Sequence, residues 1–394
     1  MFPHLSRCHQ KTSSSGRRTL SLGTLAIIGV CLILMAIFGY DVVWSALNIP
    51  VKNPHFADLR VLTGAAESMR LGFDPLYANP GDPWNRELNH ARIWQWIIST
   101  LSIDSSYTTP IGILLCVLYF GGALLLFKDV DNITSLVMLF AIFSPAALLG
   151  IERANFDLLI FFIVCMGVLA AQRSALISLA LILIGSALKF FPIFAIILFI
   201  RERLSYAIIL CVTASILFLA YLLANLEDLP QILSSTDKGV TVLSYGSRSH
   251  SAGIELLPSF IPAISLLLTA FLFFVSLNET HSCDEKPSIN LDSFRGGAAI
   301  YLGTFMLGNN WSYRLIFLIL TIPQLIHWIR SDNKAIRQIA LTTTIAIFYS
   351  LWAIFFDPIP ISGALDELLN WVLLPLLFFL LLTSLPERIK HFMN

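Results

Sequence analysis

The sequence is short of charge. Only 13% of its 394 residues are Asp, Glu, Lys or Arg, about half the roughly 25% usual in soluble domains, and 56% are hydrophobic. With a mean hydropathy of +0.77, this composition excludes an ordinary soluble enzyme. Nor does one sign of charge dominate: 25 basic residues balance 25 acidic ones, so nothing suggests nucleic acid as a partner. No G-x-x-x-x-G-K-[ST] run occurs, and the longest internal loop assigned below to the cytoplasm, 278–294, is too short for a nucleotide-binding domain. ATP and nucleotide sugars are therefore not expected as direct substrates. Cysteine is sparse as well. Cys31, Cys116, Cys165 and Cys211 lie in apolar runs, and Cys8 and Cys283 lie in segments assigned to the reducing cytoplasm, so no disulfide is expected. His55 and Asp58 are three residues apart but lack further ligands at set spacing; no metal and no other cofactor is expected.

Long apolar runs take the place of all these features. A spanning helix needs about 20 mostly apolar residues, and runs of that kind fall near 20–40, 108–127, 132–150, 156–171, 204–225, 254–277, 295–308, 314–329, 336–356 and 367–384. The expected fold is an all-α polytopic integral membrane protein, one transmembrane domain over 1–394 with about ten spanning helices. Arg17 and Arg18 precede the first run, and no A-x-A-like cleavage site follows it, so it reads as an uncleaved span behind a cytoplasmic tail, 1–19.

The stretch 174–200 is interrupted by Lys189 and Pro192 and has basic flanks at Arg173, Arg201 and Arg203. It is either one long span or a re-entrant hairpin. Cytoplasmic loops collect Lys and Arg. The hairpin places Arg201, Arg203, Lys286, Arg295, Arg330, Lys334, Arg337, Arg388 and Lys390 inside, with Lys238, Arg248 and Arg314 outside; a single span reverses that nine-to-three score. The hairpin is therefore expected, with Lys189 at its tip and both termini cytoplasmic, in the cell inner (plasma) membrane. Most acidic residues then face outward, many of them in one long outer loop, 41–107. Within it, 56–71 and 85–101 read as amphipathic helices lying on the outer leaflet, with Trp84, Trp94 and Trp96 suited to the interface and His90 interfacial. The turn-rich 72–83 joins them, with Asp74 and Asp82 as turn formers.

In this loop Asp58, Ala66, Gly72, Asp74, Pro75 and Tyr77 resemble the first-loop pattern of glycosyltransferase family 87, the polyprenyl-phosphate-mannose-dependent group of the GT-C superfamily. Glu152-Arg-Ala-Asn-Phe-Asp157, Leu188-Lys-Phe-Phe-Pro192 and Gly308-Asn-Asn-Trp-Ser-Tyr-Arg314 are similar to members of that family too. The family often has Gly where this chain has Ala154. The resemblance implies a GT-C-like bundle and an outward-facing hexosyltransferase. Its donor is a sugar, mannose above all, on a polyprenyl phosphate, its acceptor a lipid or glycan, and its base an acid of the first outer loop. By position that acid is Asp58, with Asp41 as the alternative.

A departing lipid phosphate needs positive groups near the outer face. Asn155, and Asn309 or Asn310, read as caps of helices whose N-termini point outward beside Arg153 and Arg314. Plain N-caps and snorkelling arginines would look the same. Lys189 sits at depth, where an unpaired charge costs about 2.5–3.5 kcal/mol, so a phosphate, Glu152 or Asp157 must compensate it. Arg248 and His250, in a polar cluster of the 227–253 loop, are further candidates for binding sugar or acceptor. The competing reading is a transporter or flippase of lipid-linked sugars, in which a broken hairpin lines a pathway; the long outer loop and the lack of a matched break in a second half speak against it.

Overall fold

The computed structural model describes residues 4–236, 239, 241–249, 260–278 and 287–389. Among them the chain is mainly helical, and the β structure is one short antiparallel pairing of Ser244–Tyr245 with Asn310–Trp311. Six helices are long and apolar enough to cross a membrane: Ser15–Phe38, Ser105–Leu126, Leu204–Ala224, Ser312–Ile329, Lys334–Phe356 and Ser362–Thr383. Asn132–Ile142 and Pro145–Arg153, bent by 49°, add a seventh if the pair counts as one span. The protein is thus an all-α, multi-pass membrane protein.

The other expected spans differ for physical reasons. Asp157–Ala171 and Ala175–Leu188 hold 15 and 14 residues, short of the roughly 20 a straight crossing needs. Ile289–Leu307 starts inside the stretch expected to be a cytoplasmic loop, because Ser288 caps it by accepting from the Leu291 amide at 3.2 Å. This helix also carries the buried charges Asp292 and Arg295, which remove it from the apolar set. Residues 279–286 of that loop lie outside the described residues. At the start of the chain, helix His4–Phe38 runs unbroken through most of the expected tail.

The stretch after Ser174 doubles back. Ala175–Leu188 is α-helical, Lys189 is extended, and Phe191–Arg201 returns as a 3₁₀ helix. Pro192 contributes to the break: it has no N–H to donate, and its ring disfavours the α conformation in the residue before it. Both arms end at Asp292, which accepts from Gln172 Nε2 at 2.8 Å and from Arg201. At the turn, the Leu188 carbonyl accepts from Trp94 Nε1 at 3.0 Å and the Ala187 carbonyl from the Tyr221 hydroxyl at 2.8 Å. Phe191 on the return arm packs edge-on against Phe317, and Phe317 in turn against Phe161, in the centre of the bundle.

The long loop is no surface layer. Helix Ala57–Arg70 buries nine of its residues, Leu59, Leu62 and Ala66 among them. Its Gly64 lies so close to the following turn that an added Cβ would stand 2.5 Å from the Gly81 carbonyl oxygen. Asn79 ties the two together, accepting from Ser68 Oγ and donating to the Val61 and Arg86 carbonyls. The expectation for the tryptophans therefore needs correction. Trp96 is 67% exposed, but Trp94 is 4% exposed, because helix Ile93–Leu101 presses it onto the hairpin tip.

Candidate functional site

Between the long loop and the hairpin tip lies a cavity of about 300 Å³. Its wall includes Asp58, Arg153, Asn155, Lys189, Asn309, Asn310 and Arg314, seven of the nine residues singled out in the sequence, from segments up to 256 positions apart. Arg248 is exposed and does not line it, and His250 lies outside the described residues. Asp41 is exposed, bonded through Oδ2 to Asn53 at 3.2 Å, and also stands off the cavity.

Asp58, in the first turn of Ala57–Arg70, accepts from Asn155 Nδ2 at 2.6 Å and faces Arg86 Nη1 at 3.8 Å. The Asn155 oxygen accepts from Lys189 Nζ at 3.0 Å and from the Asp157 amide at 2.9 Å. One side chain thereby holds the first amide of helix Asp157–Ala171 and couples the loop acid to the hairpin lysine. The chain reaches this position through Ala154, which adopts φ 48°, ψ 48°. That left-handed conformation costs a non-glycine residue about 1–2 kcal/mol.

Asp157, buried to 1% exposure, is shared by two cations: Lys189 Nζ at 2.5 Å and Arg314 Nε at 3.1 Å. The second acid proposed for Lys189, Glu152, instead pairs with Arg153 at 3.2 Å and accepts from the Lys52 amide at 3.1 Å. Arg314 also stacks its guanidinium over Phe191 at 4.5 Å and donates to Asn310. Lys189 and Arg314 thus share one carboxylate, and both open onto the cavity.

Asn309 and Asn310 are not helix caps. Asn310 belongs to the strand paired with Ser244–Tyr245, donates to the Thr304 carbonyl at 2.7 Å, and is followed by the 3₁₀ stretch Ser312–Thr321. Asn309 donates to the Gly239 carbonyl at 3.0 Å. The pairing spans more than 60 residues, so no local pattern announces it. The turn formers are as expected: Asp74 accepts from the Leu76 amide, and Asp82 from the amides of Trp84 and Arg86.

Several wall residues were not singled out in the sequence: Lys52, Arg86, Asn89, His90 and Tyr313. For Arg86 a signal existed, since Asp82 four residues earlier is its ion-pair partner at 2.8 Å. His90, expected at the membrane interface, packs edge-on between Trp94 and Phe156 and faces the cavity. Its pKa is pushed down to about 3, first by burial and then by the charges of Lys189 and Arg314, against the pull of Asp157. It is therefore a neutral imidazole at physiological pH. The fold and the cavity define a class: a multi-pass helical membrane protein with a cation-rich chamber between a long loop and a broken hairpin. Comparison of the chain with family models, with curated proteins and with solved structures found no match in any of the three.

Proposed function

We propose that the chain is a membrane hexosyltransferase that moves a sugar, mannose by the resemblance, from a polyprenyl phosphate to a lipid or glycan acceptor. The observation that carries this reading is the Asn155 bridge, which couples the Asp58 carboxylate to Lys189. A base and an anion-stabilising cation thus share one wall of one cavity, as glycosyl transfer from a lipid phosphate requires. Asp58 takes the proton of the acceptor hydroxyl while its oxygen attacks the anomeric carbon. The bond from that carbon to the phosphate oxygen breaks, its electron pair leaves with the phosphate, and Lys189 and Arg314 stabilise the charge that develops. A single displacement inverts the anomeric centre, so a β-phospho-sugar gives an α-glycoside. With the loop end of the bundle facing outward, the reaction takes place on the outer face of the inner membrane, and both termini are cytoplasmic.

The test incubates purified protein in detergent with radiolabelled polyprenyl-phosphate mannose and a cell lipid extract. Transfer to a new product with inverted configuration is expected. Asp58→Asn keeps the shape of the side chain and removes its basicity, so turnover should fall by about 10²-fold or more with donor binding retained. An Asn variant that turns over at nearly the wild-type rate rejects Asp58 as the base, and movement of the lipid-sugar across vesicles without any new product favours a flippase.

A further inference from the structure

Four cavity-wall residues carry buried polar atoms that find no hydrogen-bond partner among the described residues: Arg153 Nη1, a cationic donor that suits the phosphate, and Asn89 Oδ1, Asn309 Oδ1 and both ring nitrogens of His90, which do not. Buried polar groups are nearly always paired, so a group of them on one wall calls for a ligand. Their chemistry says which kind. Asn309 donates to the Gly239 carbonyl, which fixes its amide nitrogen there and leaves its oxygen as an unpartnered acceptor on a residue of the cavity wall. The Asn89 oxygen is an acceptor too. A neutral imidazole adds one acceptor and one donor. A phosphate has no proton to give these acceptors at the pH where it is ionised, whereas a polyol supplies O–H groups that both donate and accept. His90, Lys189 and Arg314 line the same cavity, so a polyol that meets His90 there can be the one attached to a phosphate at the two cations.

We infer that Asn89, His90 and Asn309 form a hydroxyl-reading subsite that binds the sugar of the donor beside the phosphate subsite of Lys189 and Arg314, with His90 as the residue that discriminates sugar-bearing from bare lipid phosphate. This inference rests on the glycosyltransferase reading. His90→Phe keeps the packing between Trp94 and Phe156 and removes both hydrogen bonds; His90→Gln keeps a donor and an acceptor.

The experiment measures equilibrium binding of polyprenyl phosphate and of polyprenyl-phosphate mannose to the full chain in nanodiscs. For the wild type, the sugar-bearing lipid should bind more tightly than the bare one. In His90→Phe that advantage should shrink about tenfold, the scale of a lost hydrogen bond, with bare-lipid affinity unchanged, and His90→Gln should restore part of it. Equal weakening for both lipids in both variants, or no weakening in His90→Phe, overturns the sugar subsite and leaves the transferase reading standing. A wild type that binds neither lipid overturns the transferase reading and the subsite with it.

Discussion

The shared carboxylate sets up opposite outcomes for two neighbouring substitutions. Asp157→Asn leaves Lys189 and Arg314 facing each other with only neutral acceptors, Asn155 for the lysine and Asn310 for the arginine. Removing one partner of a buried ion pair costs about 3–5 kcal/mol, and here two cations lose their counter-ion together, so the upper part of that range is expected. Lys189→Met is different. Asp157 keeps Arg314 at 3.1 Å, so no buried charge is left without a partner, and the net loss should be about 1 kcal/mol, the scale of one hydrogen bond. Binding should run the other way. A charge-assisted hydrogen bond is worth about 1.5–3 kcal/mol, so Lys189→Met should weaken binding of bare polyprenyl phosphate by roughly 10- to 150-fold, whereas Asp157→Asn, if it survives in detergent, should bind the anion more tightly. Tryptophan-monitored melting of the three purified proteins, followed by lipid binding, checks both arms. Asp157→Asn melting at the wild-type temperature, or Lys189→Met retaining wild-type affinity, would refute the triad as both strut and anion site.

Other outcomes follow from the same geometry. In a chain stripped of its native cysteines, an impermeant reagent applied to the outer face should label Ser234→Cys, at the loop end, but not Asp332→Cys; the reverse pattern inverts the proposed orientation. A preparation free of lipid-sugar synthase should show no transfer from GDP-mannose, and comparable rates with the two donors would reject the lipid-phosphate specificity. His90 lies below its unfolded pKa when folded, so the unfolded chain takes up a proton near pH 6.5 that the folded chain refuses until about pH 3. Its contribution to stability is complete above pH 6.5 and declines as pH falls toward 3, by at most about 1.4 kcal/mol per unit. Wild-type melting should therefore drop more between pH 7 and pH 5 than that of His90→Phe, and parallel slopes would contradict the depressed pKa.

Those parts of the site that obey a local or a charge rule were legible in the sequence. Lys189 in an apolar stretch demands a counter-ion, and Asp157, one of the two acids named for it, is the partner found. Asn155 before an apolar run reads as a cap; the capping position itself falls on Phe156, and the Asn155 oxygen accepts from the Asp157 amide where the helix starts. Parts set by distant pairing were hidden. Asn309 and Asn310 look like caps until Ser244–Tyr245 pairs alongside. Trp94 and His90 sit in a stretch whose periodicity fits a leaflet surface, and only the fold shows that this surface is the hairpin tip. The span count suffered from the same cause. Asp292 looks like a loop residue until Gln172, Arg201 and Arg295 gather round it inside the bundle, and hydropathy alone cannot foresee that company.

The position of these partners along the chain bears on how the protein is made. Synthesis proceeds from the N-terminus, and Asp58, Trp94, Asn155 and Asp157 all precede Lys189. When the lysine leaves the ribosome, the carboxylate that accepts its charge, the amide that bonds it and the indole that holds the preceding carbonyl have already been delivered to the membrane. The hairpin can then enter as a neutralised unit rather than as a bare cation. Arg314 comes more than a hundred residues later, so the nascent chain passes through a stage in which Asp157 and Lys189 form a balanced pair. The second cation on Asp157 arrives only when the C-terminal third of the protein is in place.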